Sequence, residues 1–204
     1  MPRRDESDSP ARRRIEEVAL KLFAAQGYRG TPVKEIMLAC GLTPGALYNH
    51  FQSKDELLYA ILTNFGDEFT IMIEQSEKAA DPDDPAELLF NLIEAMARFA
   101  LLHPEATKVA NVEYTELSEG YLKEEIEFRR ANRRRIEKIL EAGIAGDQFV
   151  VPSYPNGVKL TATALANVAI RLSESAGPQP GEDIDGLARF HAQLALRMVI
   201  LRSA

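Results

Sequence analysis

The stretch Thr31–Phe51, TPVKEIMLACGLTPGALYNHF, most constrains the fold of this chain, because two short helical patterns meet in it at a glycine. Thr31 is the expected N-cap of the first helix, with Pro32 at its first position, and Gly41 ends it. One apolar stripe at i, i+3, i+4 and i+7 predicts its buried face. The stripe consists of Val33, Ile36, Met37 and Cys40.

The second pattern begins at Thr43, which can cap a helix that has Pro44 at its first position. The turn between the two helices is then about three or four residues, the length used by helix-turn-helix motifs. Leu47 and Phe51 are four residues apart and predict one buried face. The remaining residues, on or near the opposite face, suit contact with phosphates and base edges. They are Thr43, Gly45, Ala46, Tyr48, Asn49 and His50.

A helix precedes this motif and another follows it. Apolar residues from Ile15 to Phe23 recur at helical spacing, and Gly27 ends that pattern. Ser53 and Glu56 form a capping box that starts a fourth helix, which continues to about Gln75. The first helix is expected to pack across the two motif helices, because helices of about eight residues are not stable alone.

The rest of the chain also reads as helical, and the fold class predicted is all-α with about nine helices. Outside Phe149–Val151 there is no strand-like alternation, and there is no internal repeat. The expected helices after the fourth cover 86–102 (mostly buried), one or two short helices in 105–118, and then 121–142, 156–173 and 184–201.

Charge divides the chain of 204 residues into unlike parts. The net charge is −7, but residues 1–60 carry +1 and residues 61–204 carry −8. This asymmetry fits a DNA-reading module joined to an acidic second module. We therefore expect a flexible basic arm at 1–11, a helix-turn-helix domain at 12–60, and a second domain at 61–204, to which the family resemblance described below assigns effector binding and dimerisation.

Several classes of protein are disfavoured by the composition. The single cysteine, Cys40, lies on an apolar stripe and excludes a disulfide framework. No signal peptide or membrane span is evident, so a soluble cytoplasmic protein without membrane partners is expected. Its three histidines lie in separate segments, and no metal-binding, nucleophile or phosphate-loop motif is present. We expect no enzyme activity, no metal and no cofactor.

From Arg12 to about Leu62 the chain resembles the DNA-binding domain of the TetR family of bacterial repressors. Met37, where the family usually has alanine, and the pair Pro44–Gly45, which leaves few side chains to read bases, depart from its pattern. The residues that carry the resemblance are Gly27-Tyr28, Thr31, Val33-Lys34-Glu35-Ile36, Gly41-Leu42-Thr43, Gly45, Leu47-Tyr48, His50-Phe51, Ser53-Lys54 and Leu57-Leu58.

The resemblance implies double-stranded operator DNA as a partner. It assigns Tyr48 and Lys54 to phosphates and Lys34 to backbone or a base edge. Asn49 is the best candidate for base readout, because an amide can pair bidentately with adenine. His50 has an alternative role, packed against the first helix without base specificity. The complete predicted DNA-binding set is Lys34, Thr43, Pro44, Gly45, Ala46, Tyr48, Asn49, His50 and Lys54.

The same architecture implies a homodimer formed by the last two helices. The last helix is apolar on more than one side, and such a helix needs two partners. A symmetry mate completing a four-helix bundle can be one of them, while burial within a single chain is the alternative. The predicted interface is Ala162, Ala166, Ala169, Leu187, His191, Leu194, Met198 and Leu201, with Leu172 beside it.

The effector site is expected among the helices at 86–102, 121–142 and 156–173, and its ligand is expected to be small and hydrophobic. Five arginines within Arg129–Arg135 could hold the phosphates of coenzyme A, or could form a solvated face paired with nearby glutamates. The segment His103–Leu117 with that helix resembles regulators that respond to acyl-CoA thioesters in lipid or steroid catabolism. The predicted ligand residues are Met96, Phe99, Val109, Val112, Phe128, Arg130, Arg133, Leu165 and Val168.

The leading hypothesis is a repressor that binds a palindromic operator as a dimer and is released by its effector. One alternative is a helical protein-binding module that has kept the fold and lost DNA recognition. Another is a repressor that senses drugs or other apolar molecules. The identity of the effector, the operator and the regulated genes do not follow from the sequence.

Overall fold

The computed structural model of this chain describes residues 9–175, 181 and 183–200, without the side chains of 172–175. Leu201, the side chain of Leu172 and residues 1–8 of the expected arm lie outside the described part. The prediction of an all-α fold is confirmed. The helices are α1 (Pro10–Gln26), α2 (Val33–Ala39), a 3₁₀ helix named here the recognition helix (Pro44–Asn49), α3 (Lys54–Lys78), α4 (Pro85–Leu102), α5 (Pro104–Val112), a second 3₁₀ helix (Glu113–Glu116), α6 (Glu119–Ala145), α7 (Gly157–Ser175) and α8 (Ile184–Arg197).

Helix α1 begins two residues earlier than the sequence suggested. The Ser9 side chain caps it by accepting a hydrogen bond from the Arg12 N–H at 3.2 Å, and Pro10 occupies its first turn. Pro10 and Ala11 are therefore helical and do not belong to an arm. Gly27 ends the helix as predicted, with φ of 81° and its N–H bonded to the Phe23 carbonyl.

The turn after α2 is a Schellman motif. Gly41 has φ of 73°, which favours glycine, and its N–H donates to the Leu38 carbonyl. The Leu42 N–H donates to the Met37 carbonyl at 2.8 Å. The prediction that Gly41 ends the first motif helix is confirmed, and the recognition helix begins after Thr43 as expected.

The prediction of Thr31 as the N-cap of α2 was wrong. Pro32 occupies the cap position, and the buried Thr31 hydroxyl donates instead to the Gly27 carbonyl at 2.7 Å. Thr31 thus closes the corner between α1 and α2. At α3 the predicted capping pair is present, with Ser53 accepting from the Glu56 N–H. The Glu56 carboxylate accepts from the Gln52 N–H, one residue earlier than a capping box requires.

The described chain divides into two compact units. Unit 1 contains the residues up to Gly66 together with Glu105–Glu125, and unit 2 contains Asp67–Pro104 with the residues from Ile126 onward. Helices α3 and α6 contribute residues to both. The core of unit 1 contains Ile15, Phe23, Ile36, Met37, Leu47, Phe51, Leu57 and Leu58.

The segment Glu105–Glu125 completes the core of unit 1 although it is distant from it in sequence. Val109, Ala110 and Leu117 are buried in the same cluster as the motif helices. Lys108 Nζ donates to the Ala24 carbonyl at 2.6 Å. These contacts fix α5 against α1.

Helix α4 forms the centre of unit 2. It is mostly buried, as predicted, and packs against α7 and α8. Alanines on the inner sides of the two partner helices allow close approach, and these are Ala162, Ala169, Ala188, Ala192 and Ala195. Among the described residues, no helix is both long enough and apolar enough to cross a membrane.

We expect Val109→Ala to destabilise unit 1 by about 2 kcal/mol, because it removes two buried methyl groups at about 0.8 kcal/mol each and leaves a small cavity. Val109 is 1% exposed in the unit 1 core, whereas Val112, on the same helix, is 50% exposed. Val112→Ala is therefore the matched control and should change the free energy of unfolding little. Denaturant unfolding monitored by circular dichroism measures both. Equal effects of the two substitutions would contradict the packing described here.

His191 should make folding stability depend on pH. Burial lowers its pKa below the ordinary value, so the unfolded chain binds the proton more readily. Its contribution to the free energy of unfolding is complete above the unfolded pKa of about 6.5 and declines as pH falls below that value. Thermal melts between pH 7.5 and 5 should show less loss of stability for His191→Leu than for the wild type. Parallel loss in the two proteins would exclude His191 as the source.

Candidate functional site

The recognition helix presents a polar, exposed face on a buried support. Leu47 and Phe51 are buried beneath it, while Tyr48 is 65% exposed. A helix of six residues has little stability of its own, so this burial fixes its position. The other predicted contacts divide by exposure: Thr43, Pro44, Gly45, Asn49 and Lys34 of α2 are exposed, and Ala46 and His50 are half-buried.

Gly45 is not required by the fold. It does not have positive φ, and a Cβ atom placed on it would have no atom within 4 Å. An alanine would be sterically accommodated there, and it would favour the helical backbone by about 0.5–1 kcal/mol. The absence of a side chain leaves the backbone at this point open to close approach by another molecule.

Lys54 is already engaged within unit 1. Its Nζ donates to the Tyr28 carbonyl at 2.5 Å and lies 3.9 Å from the centre of the Tyr28 ring. Burial lowers the pKa of Lys54, while the carboxylates of Glu113 and Glu116 act in the opposite direction. A phosphate that binds Lys54, as predicted, must therefore share its ammonium group with the Tyr28 carbonyl.

Arg12 has a structural role that the sequence interpretation missed. Its NH1 donates to the His50 carbonyl at 2.6 Å, and its guanidinium lies 4.1 Å from the centre of the Phe51 ring. Glu16, one turn further along α1, accepts from Arg12 Nε at 3.2 Å. Arg12 therefore ties α1 to the end of the recognition helix. The i, i+4 spacing of Arg12 and Glu16 was the available signal, but it does not identify the carbonyl partner.

The predicted effector residues fall into both units. Met96, Phe99 and Leu165 are buried in unit 2, where Phe128 and Val168 are half-buried. Val109 instead lies in the core of unit 1, and Val112 in the same unit is exposed. These two valines thus belong to unit 1, and the other five apolar residues of the predicted set belong to unit 2.

Carboxylates engage much of the arginine cluster on α6. Arg130 pairs with Glu127, and Arg133 Nε contacts Glu137 at 2.7 Å. Arg135 contacts Glu77 of α3 at 2.6 Å. These are pairs of the kind expected for a solvated face, and any phosphate bound there must compete with them. In the described part of the chain, no cluster of three or more potential metal-binding side chains occurs.

The predicted dimer residues divide between two faces. His191, Ala162 and Ala169 are buried within unit 2, so they have almost no surface left for a second chain to cover. Ala166 and Leu187 are half-buried, whereas Leu194 and Met198 are exposed. Phe190, which was not included in the predicted interface, is 57% exposed. The exposed stripe of α8 therefore runs through Phe190 and Leu194 to Met198 at the helix end, with the half-buried Leu187 beside it.

Two family models match this chain. Residues 15–61 match the family model described as bacterial regulatory proteins, tetR family. Residues 82–199 match the model described as tetracyclin repressor-like, C-terminal domain.

The HTH-type transcriptional repressor KstR2 of Rhodococcus jostii (strain RHA1) is 30% identical over 157 residues, covering 72% of this chain and 73% of the relative. A tetR-family regulatory protein from Rhodococcus RHA1 has a similar structure, with a TM-score of 0.84, 27% identity, and coverage of 96% of this chain and 100% of that one. AibR, solved in complex with isovaleryl coenzyme A and operator DNA, has a TM-score of 0.77 and 20% identity, and the match covers 92% and 97% of the two chains.

These relatives are transcriptional regulators and not enzymes. One family model covers more than half of the chain, and a relative shares 30% of its residues over most of both sequences. The chain belongs to the TetR family of bacterial transcriptional regulators.

Proposed function

We propose that this protein is a ligand-responsive transcriptional repressor that binds a palindromic operator as a homodimer. The observation that carries the proposal is the exposed face of the recognition helix, held on the buried side chains of Leu47 and Phe51. A face of hydroxyl, amide and small groups can lie against DNA without large side chains blocking the approach. The proposed site of action is the cytoplasm, where bacterial DNA lies.

The proposed contacts follow from exposure and chemistry. Tyr48 and Lys34 contact phosphates, with Lys54 contributing while it remains bonded to the Tyr28 carbonyl. Asn49 reads a base, most readily adenine. The open surroundings of Gly45 support close approach of the recognition helix backbone to the DNA.

The proposed dimer uses the exposed stripe of α8 together with the accessible side of α7. An apolar stripe of this kind is covered when a symmetry mate packs against it. The interface residues retained from the sequence prediction are Ala166, Leu187, Leu194 and Met198, to which Phe190 is added. The two helix-turn-helix domains of such a dimer would bind successive major grooves about 34–36 Å apart.

The proposed effector is a small molecule with an apolar part, and an acyl-CoA thioester is the specific candidate. AibR, which shares the fold, was solved with isovaleryl coenzyme A and operator DNA bound. The apolar residues Met96, Phe99 and Leu165 of unit 2 support an acyl group as the bound part. Arg130 and Arg133 are the proposed phosphate ligands, in competition with Glu127 and Glu137.

The effector is proposed to release the operator. By linkage, it must then bind the released state more tightly than the DNA-bound state. Operator DNA must weaken effector binding by the same factor.

Lys34→Ala should weaken operator binding at every sequence and reduce the slope of log K against log salt by about 0.9, the value of one phosphate contact. Lys21→Ala is the matched control, because it removes an exposed positive charge from α1, which carries none of the proposed contacts.

Asn49→Ala should reduce the free energy of operator binding by about 1–3 kcal/mol when the base that Asn49 reads is present, and by little when that base is mismatched. Fluorescence anisotropy with operator duplexes at several salt concentrations measures these effects.

If the wild type binds no palindromic DNA sequence from the region upstream of its own gene, the repressor proposal is overturned and a protein-binding module is favoured. If the wild type binds and Lys34→Ala behaves as Lys21→Ala does, the proposed face is not the interface. Lys54→Ala is a poor test, because it also removes the contact with Tyr28.

Isovaleryl coenzyme A should stabilise the folded protein by about 2.7 kcal/mol when its concentration is one hundred times its Kd. A thermal-shift titration measures this, with free coenzyme A and a cationic drug as comparison ligands. Arg130→Ala should reduce the shift, and Lys138→Ala, an exposed cation on the same helix, should not. A shift with the drug and none with thioesters would contradict the acyl-CoA candidate while leaving the repressor proposal intact.

A further inference from the structure

Arg29 is a cation to which no role has been assigned, and it lies on the loop between α1 and α2. Its side chain is 84% exposed. The preceding residue, Tyr28, supplies the carbonyl that accepts from Lys54 Nζ at 2.5 Å. Lys34 follows five positions later on α2. Arg29 therefore directly follows the residue that holds Lys54, a proposed phosphate ligand, and precedes a second one, Lys34, by five positions.

One hydrogen bond to a carboxylate holds the guanidinium of Arg29, and the charge of Glu113 also acts on it. Its Nε donates to Glu116 Oε2 at 2.6 Å. Arginine has five N–H donors in one plane, and this bond uses the one closest to the side-chain stem. Within the described part of the chain, Arg29 forms no other hydrogen bond or ion pair. The two terminal nitrogens thus keep their donors on an exposed side chain.

The side chain of Glu116 is less exposed than that of Arg29. Its side chain is 21% exposed, against 84% for Arg29. It belongs to the second 3₁₀ helix, which follows α5 and precedes the buried Leu117. Val109 and Leu117 anchor this segment in the core of unit 1, which restrains the backbone from which the Glu116 carboxylate projects. A hydrogen bond from Nε to this carboxylate constrains the direction of the Nε–H bond and so limits the positions of the free end of the guanidinium.

We propose that Arg29 is a further phosphate ligand for operator DNA and that Glu116 is the residue that positions it. The proposal rests on the proposed DNA-binding function. The planar fork of arginine matches two phosphate oxygens, and its free end is the part that would bind them. An exposed ion pair costs little to retain or rearrange, so the contact with Glu116 does not prevent phosphate binding.

Arg29→Ala should lower operator affinity about threefold to tenfold and reduce the salt slope by about 0.9, as for one lost phosphate contact. Lys21→Ala is again the control for loss of charge alone, and thermal melts of both variants check that unit 1 remains folded. A slope for Arg29→Ala equal to that of Lys21→Ala overturns the assignment of Arg29.

Glu116→Ala should lower affinity about twofold to fivefold, the range expected for one exposed ion pair, and leave the salt slope unchanged. In the Arg29→Ala background the same substitution should have no effect, because the positioned group is then absent. An equal loss with and without Arg29 would show that Glu116 acts independently of Arg29, through folding or through Lys54, and this overturns its positioning role. A gain in affinity would make Glu116 a competitor of DNA, which also overturns it.

These outcomes are separate from the fate of the proposed function. If the wild type binds no operator, the repressor proposal fails first. If the wild type binds and Lys34→Ala lowers the salt slope while Arg29→Ala does not, only the inference about Arg29 fails.

Discussion

Burial of Leu47 and Phe51 is the interaction on which the proposed DNA-binding surface depends. The recognition helix is six residues long and has 3₁₀ geometry, which is intrinsically weak. Its orientation therefore comes from tertiary contacts. Arg12 reinforces them, since it contacts the Phe51 ring and the His50 carbonyl together. Local sequence makes this short helix possible, and its packing in the core of unit 1, together with the Arg12 contacts from α1, determines its orientation.

Local signals predicted much of the fold. Glycines at the ends of α1 and α2, the serine cap of α3 and the helical periodicity are short-range features, and the structure contains all of them. Thr31 was misinterpreted because its hydroxyl serves either as a cap or as a donor to a carbonyl, and sequence does not distinguish these. The exposed face of the recognition helix was predictable because small and polar residues alternate there with two bulky apolar ones.

Long-range partners were not predictable in the same way. Val109 has the helical spacing of any apolar residue, and nothing in the local pattern tells which core receives it. His191 lies at the edge between two apolar faces of α8, where the helical period alone does not decide which side is buried. The acidic partners of the arginine cluster were identifiable on α6 itself, but Glu77, on a helix about 58 positions earlier, was not.

The placement of Glu105–Glu125 bears on the modularity of this regulator. A head defined as the residues up to Gly66 would lack Val109, Ala110 and Leu117, and its core would expose the surfaces that these residues cover. These N-terminal residues therefore do not form an independent module that recombination at a single junction could exchange between proteins. A chimera that contains the residues up to Gly66 must also contain Glu105–Glu125, or another segment that packs into the same core. If the recognition helix reads the operator as proposed, substitutions on it are an easier way to exchange operator specificity between relatives than transfer of all residues up to Gly66.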